Sequence, residues 1–138
     1  MTDNYYFTKE NVSEKEYKIQ SILYNTNIVN VPRPYIYYNN TTTLKMRNIP
    51  NLSISDMYGD DFSKIPNYIS EQIRDIIATL YQYGLEYPDI TGYNFIEYQN
   101  KVWIIDFGHA QFNNDKDTYD PFILEFINGT NSWNPRFA

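Results

Sequence analysis

A carboxylate, an amide and a second carboxylate fall at Asp89, Asn94 and Asp106, and the residues between them constrain the fold more than any other feature of the chain. The first two belong to Tyr87-Pro88-Asp89-Ile90-Thr91-Gly92-Tyr93-Asn94. An apolar run, Val102-Trp103-Ile104-Ile105, then ends in Asp106-Phe107-Gly108. Segments 94–98 and 101–105 read as two strands joined at Gln99-Asn100, a dipeptide suited to a tight turn. A hairpin there returns Asp106 to the side of Asn94. Gly92 is expected to allow a sharp turn, so that Asp89 and Asn94 face one cleft. Hard oxygen donors of this kind suit a divalent cation such as Mg²⁺.

The flanking pattern is mixed. Residues 5–9 read as a strand, and Ser13-Glu14-Lys15-Glu16 as a capping box opening a helix to about Tyr24. Tyr17, Ile19, Ile22 and Leu23 mark its inner side. Strands are predicted near 34–38 and 42–47, turning at Asn39-Asn40, before a linker at Ile49-Pro50-Asn51. Ser53 to Tyr58 reads as one or two helical turns closed by Gly59. A longer helix spans about 67–83, with Ile69, Ile73, Ile76, Ile77, Leu80 and Tyr81 as its apolar stripe and Gly84 as its stop. A last helix is predicted over Asp117–Asn128, with Pro121 in its first turn. Strand, helix, strands, linker, helix, loop, hairpin and helix make an α+β order.

Composition limits the chemistry. The 138 residues include no cysteine, which excludes a disulfide framework and thiol catalysis, and one histidine, His109, which excludes a multi-histidine metal site. His109 reads as exposed or structural. A net charge of −6 makes direct nucleic-acid binding unexpected. No apolar run reaches membrane-spanning length, and no membrane partner is expected. The polar start, Met1 to Tyr6, is unlike a secretory signal, so a cytoplasmic protein is expected.

Asp89-x-x-x-x-Asn94 resembles the catalytic loop of protein kinases, and Asp106-Phe107-Gly108 resembles their metal-binding turn. Leu80 to Asp89 resembles the stretch where a kinase helix ends at glycine before that loop. Leu44-Lys45-Met46-Arg47-Asn48-Ile49-Pro50 looks like the strand and hinge that hold adenine. The resemblance spans roughly residues 5–125. It is nearest to small atypical kinases, the RIO type and the compact kinase of the KEOPS tRNA-modification complex. Such miniature kinase-like chains are also associated with large DNA viruses.

The resemblance implies a truncated two-lobed protein-kinase-like fold in one domain over 1–138. Its N-lobe would be 1–47, its hinge 48–50 and its short helical C-lobe 51–138. It implies ATP and Mg²⁺ as cofactors. Asp89 would be the catalytic base, and Asn94 and Asp106 the metal ligands. Lys9 would touch the α/β-phosphates and pair with Glu16. Met46 would be the gatekeeper, and the backbone of Arg47, Asn48 and Ile49 would face the base. The implied function is a minimal Ser/Thr-type protein kinase. Its partner would be a protein substrate or regulator in the cytoplasm, the host's if the chain is viral. Other readings stay open. Lys9 also suits a solvated strand end, Glu16 a simple capping box, and Asp120 either a helix-terminal charge or a tether for the catalytic loop.

The chain departs from the kinase pattern in several ways, one being that the interval from Lys9 to Glu16 is short for that ion pair. No glycine precedes Gly59, so the Gly-rich phosphate lid is missing. Tyr87-Pro88 replaces His-Arg, Thr91 stands where Ser/Thr kinases carry lysine, and no Ala-Pro-Glu follows Gly108. These losses raise two alternatives, a pseudokinase acting as a nucleotide-binding or interaction module, and an ATPase-like subunit of a larger assembly.

Overall fold

The computed structural model describes residues 5–137. The chain opens with a three-stranded antiparallel sheet. Strands β1 (Tyr6–Lys9) and β2 (Pro34–Tyr38) flank the central β3 (Thr43–Arg47). Phe7 lies opposite Met46, and Lys9 opposite Leu44. Side chains alternate along a strand, so these four share one face, on which Leu44 and Met46 are buried.

Helix α1 (Glu14–Thr26) packs on that sheet. Ser13 caps it, its Oγ accepting from the Glu16 amide at 3.1 Å. Glu16 does not complete the expected reciprocal box, because its carboxylate turns inward to Lys9. The inner face is Glu16, Ile19, Gln20 and Leu23, which follow the 3.6-residue period. Ile22, expected inside, falls off that stripe and is exposed. Tyr17 is half-buried and stacks on Tyr37 at 4.7 Å.

Helix α2 (Ile54–Tyr58) is a short turn capped by Ser53. Helix α3 (Asn67–Gln82) buries Ile69, Ile73, Ile76, Ile77 and Leu80, the expected stripe. Gly84, at φ +86°, ends it. Strand β4 (Leu85–Glu86) then leads into the Asp89 loop. Strands β5 (Phe95–Tyr98) and β6 (Lys101–Ile104) form the expected hairpin. Gln99 and Asn100 both take positive φ there, at 55° and 61°, as a two-residue turn matched to strand twist requires.

A second strand pair escaped the sequence pattern. Strand β7 (Gln111–Phe112) pairs antiparallel with β4. Two residues per strand carry no period to read. The last helix, α4 (Pro121–Ile127), is also shorter than predicted. Asp117 lies instead in a separate 3-10 turn, because proline lacks an N–H and disfavours helix in the residue before it. Asp120 caps α4, accepting from the Phe122 amide at 3.0 Å. One large apolar core joins α1, α3, α4 and the β5–β6 hairpin. Among the described residues no helix is long and apolar enough to cross a membrane.

Candidate active site

The Asp89 loop is fixed from several directions. Tyr87 is buried, and its hydroxyl donates to the Ile105 carbonyl at 2.7 Å. Asn94 Nδ2 donates to the Asp89 carbonyl at 2.9 Å. The Ile105 amide donates to the Asn94 carbonyl at 2.9 Å, which joins the loop to the strand end that carries Asp106. Gly92 has ordinary negative φ, so the expected sharp-turn role is not what it supplies. It supplies space: a Cβ there would lie 2.0 Å from Ser55 Oγ, at the start of α2.

Asp106 sits at φ +66°, a left-handed conformation rare outside glycine. Its Oδ1 accepts from the Gly108 amide at 3.2 Å, which locks the turn. Lys9 Nζ lies 2.6 Å from Glu16 Oε2 and 3.3 Å from Asp106 Oδ1. One ammonium thus joins β1, α1 and the Asp-Phe-Gly turn. A Cβ at Gly108 would sit 3.3 Å from Asp106 Oδ1 and 3.4 Å from Glu16 Oε1, so glycine keeps this crowded junction open.

Lys9, Glu16 and Asp106 lie at one end of a cavity of about 340 Å³ whose other walls include Phe7, Met46, Ile49 and Ile105. A more open depression of about 560 Å³ between α1 and β7 holds none of these residues. Gln20 is buried beside Met46, its Nε2 donating to the Pro32 carbonyl at 2.8 Å. Along Arg47–Ile49 the amides are not equivalent. Arg47 N–H donates to the Arg33 carbonyl and Asn48 N–H to the Tyr5 carbonyl, both at 2.8 Å. Among the described residues the Ile49 amide has no partner. All three residues line the cavity, and of their backbone amides only Ile49 N–H is uncommitted among the described residues.

Charge follows from burial. The Asp89 carboxyl is pushed above its ordinary range by burial. His109 and Asn94 oppose this, and the neighbouring Asp106 charge adds to it. Burial works against the Lys9 charge, but Glu16 and Asp106 outweigh it and raise the Lys9 pKa. Lys9, Glu16 and Asp106 meet directly, Asp89 feels the Asp106 charge and Asn94 is joined to the neighbouring Ile105, and Met46, Arg47, Asn48 and Ile49 line the cavity beside them.

Two residues in the site carried no usable sequence signal. Asn134 Nδ2 donates to the Pro88 carbonyl at 2.8 Å, and its amide donates to Ile90 at 2.9 Å. Asn134, not Asp120, is thus the loop tether; Asp120 caps α4 and pairs with Arg136. His109 Nδ1 lies 3.3 Å from Asp89 Oδ2.

The family model of the RIO domain matches residues 3–120. The chain belongs to the RIO domain family. Its fold is protein-kinase-like, as two solved structures show. This RIO domain superposes on the Rio2 kinase of Chaetomium thermophilum, solved as an ADP/Mg²⁺-phosphoaspartate complex, with a TM-score of 0.57 and 19% identity. That match covers 84% of this chain and 34% of the other. The kinase PK-1 of Cydia pomonella granulovirus superposes with a TM-score of 0.53 and 13% identity, over 78% of this chain and 43% of that one. The chain therefore spans less than half the length of either structure. A search of curated proteins found no match.

Proposed function

We propose that this RIO-family chain is a minimal atypical kinase that transfers the ATP γ-phosphate to a protein hydroxyl in the presence of Mg²⁺. The observation that carries the reading is Lys9, which ties Glu16 to Asp106 at the end of the 340 Å³ cavity. A lysine on a strand, held by a helix carboxylate beside an Asp-Phe-Gly turn, is the phosphate-binding arrangement of protein kinases. On this reading the sheet and α1 form the N-lobe, residues 48–50 the hinge, and 51–138 the C-lobe.

The donor set fits the cation. Asn94 spends its amide nitrogen on the Asp89 carbonyl, which leaves its oxygen for a metal, and Asp106 offers a carboxylate. Asn94 and Asp106 make two protein ligands, and a site completed by water and phosphate oxygens matches what Mg²⁺ accepts. Bound there, Mg²⁺ neutralises charge on the phosphates. Asp89 accepts the proton of the acceptor hydroxyl, Lys9 holds phosphate oxygens, and Ile49 N–H offers a donor to the adenine edge.

A pseudokinase is the second reading, favoured by the missing Gly-rich lid. ATP turnover separates the two, with wild type measured beside Asp89→Asn and Asp106→Asn. Asp89→Asn is expected to spare nucleotide binding and remove turnover, and Asp106→Asn to weaken Mg²⁺-ATP binding. Wild-type turnover no higher than the variants' would establish the pseudokinase. At nucleotide 100 times its Kd, binding raises stability by about 2.7 kcal/mol. No thermal shift with Mg²⁺-ATP would defeat the kinase and the nucleotide-binding pseudokinase alike and leave the interaction module.

A further inference from the structure

We infer that His109 is a positioning residue for Asp89: its Nδ1–H holds Oδ2 of the buried carboxylate and leaves the other oxygen to meet the acceptor hydroxyl. The inference rests on Asp89 being the base, as proposed above. Asp89 is 7% exposed, while the His109 side chain is 61% exposed and lies 3.3 Å away. The Phe137 ring packs edge-on against the imidazole at 5.0 Å and restricts its swing.

Among the described residues no other basic side chain is arranged to do this. Lys9 is held by Glu16 and Asp106, and Arg136 by Asp120. Within the loop Pro88 and Thr91 carry no charge. Among the described residues His109 is the one basic side chain in contact with Asp89. The Asn94 amide holds the backbone of Asp89 and also bears on its carboxyl, and the imidazole engages Oδ2. A base held in one orientation loses less entropy on the way to the transition state. The contact also favours the ionised carboxylate against burial and Asp106. A neutral imidazole serves in this way when the proton sits on Nδ1, and that tautomer is selected by the acceptor it faces.

The test has two arms. In the first, His109→Ala is expected to lower kcat about 10–100-fold with little change in the KM for ATP. His109→Asn, which keeps a donor near the place of Nδ1, is expected to recover most of the loss. Unchanged kcat in His109→Ala, or an Asn variant as slow as Ala, overturns the inference. The second arm needs no activity. His109 is the only histidine, so long-range ¹H–¹⁵N spectra at a pH where the ring is neutral report its tautomer alone. Wild type is expected to be Nδ1–H, and Asp89→Ala to revert toward the Nε2–H form. Identical spectra for the two overturn the pairing. A wild type with the Nδ1–H signature but no turnover supports the pairing and overturns Asp89 as a base.

Discussion

Asn134 holds the carbonyls on both sides of Asp89, Pro88 through its side chain at 2.8 Å and Ile90 through its backbone at 2.9 Å. A tail residue therefore fixes the direction of a side chain in a loop far back in the sequence. Asn134 is fully buried, so its removal leaves the Pro88 acceptor without a donor. Asn134→Ala is predicted to cost about 1–3 kcal/mol of stability, read from the denaturant midpoint at constant m-value. Turnover should fall further than nucleotide affinity, because the loop's aim suffers and the cavity does not.

Asp89 opposes folding at neutral pH. Burial holds its pKa above the ordinary value near 3.8. A carboxyl with a higher pKa in the folded state favours folding below its unfolded pKa and loses that contribution as pH rises through the folded one. Asp89→Asn is therefore predicted to raise Tm at pH 7 by a margin that vanishes as pH falls below the carboxyl range. Thermal denaturation across pH 3–8 reads this, and a gain independent of pH would contradict it.

Removal of the Lys9 ammonium strands a buried acid. Glu16 is 5% exposed and has Lys9 as its partner. Lys9→Met is predicted to abolish the Mg²⁺-ATP thermal shift and to destabilise the free protein. Breaking a fully buried pair costs roughly 3–5 kcal/mol, and the partial exposure of Lys9 places the expected loss below that. Glu16→Gln in the same chain should restore part of the stability and none of the binding, as a double-mutant cycle with denaturant would show.

Gly92→Ala is predicted to destabilise by about 1–3 kcal/mol, the usual range for overpacking. The new Cβ would meet Ser55 Oγ at 2.0 Å. Ser55→Ala removes that oxygen but leaves a Cβ contact of 3.1 Å, so the double variant should recover part of the loss in a urea melt.

Periodicity and turn chemistry made much of this fold readable. The α3 stripe, the Gln99-Asn100 hairpin and the Ser13 cap all depend on local spacing, and each appears where the residues place it. The β4–β7 pair was unreadable because its strands are too short to show alternation. Gln20 is illegible in the sequence because a polar residue on an inner helix face breaks the apolar pattern. The site divides in the same way. Asp89, Asn94 and Asp106 were visible through a motif, and Lys9 with Glu16 through resemblance. Asn134 and His109 act through contacts made only in three dimensions, and nothing in Trp133-Asn134-Pro135 or Gly108-His109 marks them. Gly92 suggests a turn in the sequence, but its importance comes from a neighbour in α2 that no local pattern reveals.

Lys9 meets Asp106 across 97 residues of sequence. Closing so large a loop carries an entropic cost that local contacts do not repay. The charge balance of the cleft is thus predicted to form late in folding, after α3 and the hairpin have formed from near neighbours. Refolding watched by pulsed hydrogen exchange should show protected α3 amides before the chain can retain nucleotide.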